Sequence, residues 1–229
     1  MKKAAVINDL SGFGKCSLTA AIPVLSALGV QCCPLATAVL TGQTGYPYFH
    51  CTDLTDMMPQ YIDAWTQNNA HFDAIYSGYM TGRKQIEHLL DLITQFRRDD
   101  TLLLVDPVMG DDGRVYGIYS DDLLDGMKEL SRKADVITPN LTEACLLSDT
   151  DITKATDYTD TDSFLAFAAE TAVKVDFPHV FHGYSAISFF AQSASLKIAR
   201  PTPMRSAAPS SSSASASFAF VTPPLERAS

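Results

Sequence analysis

The chain has 229 residues, 46% of them hydrophobic, enough for one sizeable α/β domain. Its formal net charge is −9 and its basic residues are never clustered beyond adjacent pairs, so DNA or RNA would be repelled and a nucleic-acid partner is not expected. Five cysteines, Cys16, Cys32, Cys33, Cys51 and Cys145, form an odd set without C-x-x-C spacing, which fits neither a disulfide framework nor a zinc site and points to reduced thiols.

Four apolar residues, Ala4 to Ile7, stand between Lys2-Lys3 and Asn8-Asp9. They are too few for a signal-peptide core, and no run approaches the length of a membrane span, so no membrane partner is expected and the expected compartment is the cytoplasm. The same run reads as a buried parallel strand that delivers Asn8 and Asp9 to a site. Leu18, Ala21, Ile22, Leu25 and Leu28 then fall on one helical face, and Gly29 ends the helix. Pro23 within that stretch removes one helix hydrogen bond.

Val30 to Leu40, Phe72 to Ser77, Thr101 to Val105 and the pair Val136-Ile137 read as further strands. Helical periodicity runs through Ile86, Leu89, Leu90, Ile93 and Phe96, and again over Asp121 to Arg132. Alternating strands and helices predict a three-layer, doubly wound, mainly parallel α/β sheet whose ligands sit at the carboxyl ends of the strands. That rule points to Asp9, Tyr79, Asp106 and Asn140.

Composition changes toward the C-terminus. From Phe177 onward Lys197, Arg200, Arg205 and Arg227 face a single acid, Glu226, a net +3 that leaves −12 for residues 1–176. Ser206 to Ser217 is nearly all Ser and Ala, with too little apolar bulk to build a core. The expected organisation is an α/β domain over 1–176 and a divergent tail over 177–229, poorly ordered from about 206.

Gly12-Phe13-Gly14-Lys15 is no P-loop, because Asp9 and Cys16 stand where that motif needs Gly and Ser/Thr; a strand-to-helix turn explains it. Asp9 and Ser11 could nonetheless present polar groups to a small ligand. Asp106-Pro107-Val108-Met109-Gly110-Asp111 follows an apolar strand, and its two carboxylates could share a divalent cation or merely form an acidic surface turn. Asn140 and Glu143 have capping-box spacing, which either simply starts a helix or also brings a carboxylate to a phosphate site. Gln43-Thr44-Gly45-Tyr46 and Ser77-Gly78-Tyr79 could contact a flat heterocycle or be ordinary turns.

In order along the chain, Asn8-Asp9-x-x-Gly12-x-Gly14, Gln43-Thr44-Gly45-Tyr46, Ser77-Gly78-Tyr79, the Asp106 to Asp111 element and Ile137-Thr138-Pro139-Asn140-x-x-Glu143 resemble the pyridoxal kinase branch of the ribokinase superfamily. The likeness is clear over residues 1 to about 150 and thins by about 180. It implies a ribokinase-like fold and ATP-dependent phosphorylation of the 5′-hydroxymethyl group of pyridoxal, pyridoxine or pyridoxamine, with Mg²⁺. It also implies a substrate pocket of Asp9, Ser11, Thr44 and Tyr79, with Tyr79 packed on the ring. Asp106, Thr138, Asn140 and Glu143 would serve ATP and its phosphates, Asp106, Asp111 and Glu143 the metal, and the chain could form a homodimer. A hydroxymethylpyrimidine kinase is the sister reading, and a catalytically silent ligand-binding remnant the alternative of another class.

The resemblance further implies a Gly-Thr-Gly-Asp type motif near the C-terminus, supplying an anion hole and the catalytic base. After Phe177 this sequence offers one glycine, Gly183, and one acid, Glu226, so no base is assigned. The abrupt shift in charge and composition suggests a change of reading frame near residues 177 to 184.

Overall fold

The computed structural model describes residues 1–155. The expected domain limit at 176 and the tail over 177–229 lie outside the described residues. Among the described residues are eight strands and five α-helices: β1 (Lys3–Ser11), α1 (Ser17–Ala27), β2 (Gln31–Leu40), β3 (Cys51–Asp53), α2 (Met58–Gln67), β4 (Ala74–Ser77), α3 (Arg83–Phe96), β5 (Leu102–Val105), β6 (Gly110–Asp111), β7 (Arg114–Val115), α4 (Asp121–Lys133), β8 (Val136–Ile137) and α5 (Leu141–Leu147). The main sheet has the order β3-β2-β1-β4-β5-β8, parallel except for β3, which runs antiparallel to β2 at the edge.

Side-chain alternation assigns the two faces of the sheet. Ala5, Ile7, Ile75, Leu103, Val105 and Ile137 pack with Met58, Ile86, Leu89, Leu123 and Ala144, so α2 to α5 cover one face. Ala4, Val6, Ala74, Tyr76, Leu104 and Val136 turn the other way and meet Leu18, Ala21 and Leu25 of α1. This is the three-layer arrangement expected from the sequence. Ile86, Leu89 and Leu92 of α3 are fully buried, each contributing about 1.5–3 kcal/mol of transfer free energy.

Three features went unread in the sequence. The edge strand β3 has all three residues exposed, so it carries no buried alternation to detect. Helix α2 buries Met58 alone among its residues, and its partly buried Tyr61 and Trp65 give a weak stripe. The β6–β7 hairpin is two residues per strand, joined by Asp112 and Gly113 with φ of 49° and 69°, the signs of a type I′ turn. Pro23 sits inside α1, which continues through it to Ala27.

β2 and β4 flank β1 on opposite sides, so the connection from β1 winds one way and the later strands build the other. Such a reversal opens a crevice outside the carboxyl ends of the strands. The opposite end of the sheet is closed by aromatic packing: Trp65 and Phe72 centroids lie 4.9 Å apart, and Phe72 and Phe96 5.5 Å apart.

Candidate active site

A cleft of about 1210 Å³ occupies that crevice, and Asp9, Ser11, Thr44, Tyr79, Asp106 and Asp111 all line it. Asp9 is 5% exposed at the end of β1 and accepts a hydrogen bond from Ser11 Oγ at 2.8 Å. Opposite Asp9 the β1–β2 register slips: Asn8 pairs with Ala36 and Leu10 with Val39, so two residues of β2 face one of β1. This β-bulge bends the strand beside the cleft. Thr44 stands in an exposed turn fastened by Gln43 N donating to Phe13 O at 2.9 Å and by the Phe13 and Tyr46 rings, 4.8 Å apart.

Tyr79 follows β4 and is partly buried. Burial, with Cys51, Asp9 and Asp53 nearby, pushes its hydroxyl up to about 12, so it is a neutral ring with a donor at physiological pH. Gly78 before it lies so close to the Asn8 side chain that any Cβ would overlap the Asn8 amide. A glycine is required there by close approach.

The other end of the cleft is acidic. Asp106 directly follows β5 and accepts from Thr138 Oγ1 at 3.0 Å; burial pushes its carboxyl up to about 6, against the lowering effect of that bond. Glu143 is 4% exposed, and burial first, then the neighbouring Asp106, hold its carboxyl well above the usual range despite amide donors from Asn140 and Met109. Tyr76 lines the cleft from β4, which lies between β1 and β5 and so between the two ends.

Thr138 and Glu143 are buried and Asn140 is partly exposed, and hydrogen bonds tie all three to Asp106 and the loop that follows it. Glu143 Oε1 accepts from Met109 N at 3.3 Å and Oε2 from Asn140 N at 2.8 Å, while Asn140 Nδ2 donates to Gly110 O at 2.8 Å. The capping box and the support of the Asp106 to Asp111 loop are therefore the same set of bonds. Asp111 is exposed on β6, and Gly113 N donates to Thr142 Oγ1 at 2.9 Å, which pins the hairpin to α5.

Among the described residues no three His, Cys, Asp or Glu side chains gather as a closed metal cage. A Mg²⁺ ion needs fewer protein ligands, one or two carboxylates with phosphate oxygens and waters completing its shell. Asp106 and Asp111, the two carboxylates that line this end of the cleft, meet that requirement, so they fit a metal-nucleotide. Asp53, Cys51, Lys15, Arg114 and Tyr116 also line the cleft and were not singled out from the sequence. For Arg114 a signal existed: Asp112-Gly113 is the dipeptide favoured in two-residue hairpins.

A doubly wound parallel sheet with a polar cleft at its strand ends is the architecture of a ribokinase-like α/β protein, and the solved chains it superposes on are kinases of that fold. The chain belongs to the phosphomethylpyrimidine kinase family, whose model matches residues 14–188. A Bacteroides thetaiotaomicron protein assigned as a phosphomethylpyrimidine kinase, solved in one crystal form with pyridoxal, is 45% identical with a TM-score of 0.67, covering 76% of this chain and 59% of its own. Pyridoxal kinase from Leishmania donovani, solved with ADP and ginkgotoxin, is 25% identical with a TM-score of 0.64, covering 79% and 62%. Human pyridoxal kinase is 29% identical over 131 residues, 54% of this chain and 42% of the human protein. The match thus takes in less than two thirds of each relative. No described helix is long and apolar enough to cross a membrane.

Proposed function

We propose that the cleft is a vitamin B6 kinase site, built to place the 5′-hydroxymethyl group of pyridoxal, pyridoxine or pyridoxamine against the γ-phosphate of Mg-ATP. The observation that carries this reading is one continuous cleft with Asp9, Ser11, Thr44 and Tyr79 at one end and Asp106 and Asp111 at the other. Pyridoxal bound by the Bacteroides relative and ADP bound by the Leishmania kinase supply the two ligand classes. All five cysteines are free thiols, in keeping with a reducing, cytoplasmic setting.

In this reading Tyr79 covers one face of the ring, and Asp9, its orientation fixed by Ser11, accepts from a ring substituent. Asp106 and Asp111 hold the metal side, and Glu143, Asn140 and Thr138 keep the intervening loop in place. ATP supplies the phosphoryl group that passes to the hydroxymethyl oxygen, with ADP leaving in line. The proton of that hydroxyl needs a base, for which no residue is assigned. The direct test is pyridoxal affinity and pyridoxal 5′-phosphate formation measured on one preparation, with hydroxymethylpyrimidine as competitor. Preferential binding of hydroxymethylpyrimidine would replace the vitamin B6 reading with its sister, and binding without any turnover would identify a silent remnant.

A further inference from the structure

Tyr79 is held at both of its backbone polar groups by side chains from other strands. Its N–H donates to Asn8 Oδ1 at 2.9 Å, and its carbonyl accepts from Thr37 Oγ1 at 2.8 Å. Thr37 is one of the two β2 residues that face Asp9 across the bulge, so the extra residue that bends β2 also aims this hydroxyl. The Thr37 carbonyl in turn accepts from Gln85 Nε2 at 2.8 Å.

Gln85 lies in the first turn of α3 and is fully buried, as is Thr37. Its amide nitrogen also donates to Thr55 Oγ1 at 3.0 Å, and its oxygen accepts from Thr81 N at 2.9 Å. Thr81 Oγ1 bonds to Asp53 on β3, which lines the cleft. A buried primary amide thus has both donors and its acceptor engaged, on β2, the segment before α2, and the loop after Tyr79. Neither Thr37 nor Gln85 lines the cleft.

We propose that Thr37 and Gln85 are positioning residues for ring binding: they fix the segment from Gly78 to Gly82 from behind, and so set the plane that Tyr79 presents to a flat heterocycle. This rests on the reading of Tyr79 as the ring-facing residue. A two-angle side chain such as Tyr points where its backbone directs it, and here that backbone is fixed at its N–H, its C=O and two residues downstream. The bonds run from the end of β4 toward β1, β2 and β3, whereas Asp106 follows β5 on the other side, so their loss acts on one ligand and spares the other.

The test compares Thr37→Val, Thr37→Ser and Gln85→Met in the 229-residue chain, reading pyridoxal affinity, affinity for a Mg-bound non-hydrolysable ATP analogue, and Tm. Thr37→Val removes one hydroxyl and keeps the volume; it should weaken pyridoxal binding about five- to tenfold and change nucleotide binding by less than about twofold. Thr37→Ser, which keeps the donor, should restore pyridoxal affinity. In a Tyr79→Ala background, Thr37→Val should weaken pyridoxal no further, since the group it positions is gone. Equal losses for both ligands, or losses that simply add to those of Tyr79→Ala, would overturn the inference while leaving the B6 reading intact. Wild-type chain that binds no pyridoxal would overturn both. Should Gln85→Met fail to fold, the Thr37 pair decides alone.

Discussion

Glu143 and Asn140 cap each other across the first turn of α5: Asn140 N donates to Glu143 Oε2 at 2.8 Å and Glu143 N donates to Asn140 Oδ1 at 2.9 Å. The spare Glu143 oxygen reaches Met109 N, so one side chain starts a helix and holds the loop between Asp106 and Asp111. Glu143→Gln keeps one carbonyl oxygen and should cost stability by about 1 kcal/mol. Glu143→Gln, by loosening the loop that carries Asp106 and Asp111, and Asp106→Asn, by removing charge from the metal side, should each weaken Mg-ATP about tenfold or more and pyridoxal far less.

Tyr79→Ala should do the reverse. Loss of the ring face is expected to weaken pyridoxal about two- to tenfold and leave Mg-ATP affinity near the wild-type value. Calorimetry with both ligands checks the pair of expectations; equal losses in Asp106→Asn, Glu143→Gln and Tyr79→Ala would refute the division of the cleft.

The β6–β7 hairpin gives a third expectation. Gly113 has a φ of 69° and donates its N–H to Thr142 Oγ1, so a β-branched residue there is strained by its backbone alone. Gly113→Val should cost about 1–2 kcal/mol and weaken Mg-ATP binding more than pyridoxal binding, by displacing Asp111. Unchanged nucleotide affinity would show that the hairpin takes no part in the metal side.

Gly78→Ala tests close approach. Its Cβ would overlap the Asn8 amide, so either the strand end or the Asn8 to Tyr79 bond must shift. Overpacking of this kind should lower Tm by roughly 3–10 °C. Gly117→Ala, where the added methyl meets nothing within 4 Å, should leave Tm unchanged and serves as the control.

Turnover is expected to be slow in the 229-residue chain. A positioned base contributes about 10²–10⁴-fold and one oxyanion-hole donor about 10²–10³-fold, and residues 177–229 contain no Gly-Thr-Gly-Asp motif to supply either. A chimera carrying the corresponding C-terminal segment of an intact relative should form pyridoxal 5′-phosphate orders of magnitude faster. Equal rates would mean a base exists elsewhere in this chain. The encoding DNA bears on the origin of the segment: if the frame changed near residues 177 to 184, the motif should be recoverable from another frame, and its absence from every frame would end that explanation.

The sequence by itself determined the parallel α/β sheet, because the buried strand runs Ala4 to Ile7 and Thr101 to Val105 and the stripe from Ile86 to Phe96 carry periodicities that have few other uses. It also marked Asp9, Tyr79 and Asp106 as strand-end residues, since in a doubly wound sheet position along a strand fixes which end of the molecule a side chain reaches. Tertiary structure alone decided that Thr138, Asn140 and Glu143 are bonded to Asp106 and the loop that follows it and that Thr37 and Gln85 converge on Tyr79. Those roles join residues 30 to 48 positions apart through single hydrogen bonds, and a hydrogen bond between distant segments leaves no period, spacing or composition in the chain that makes it.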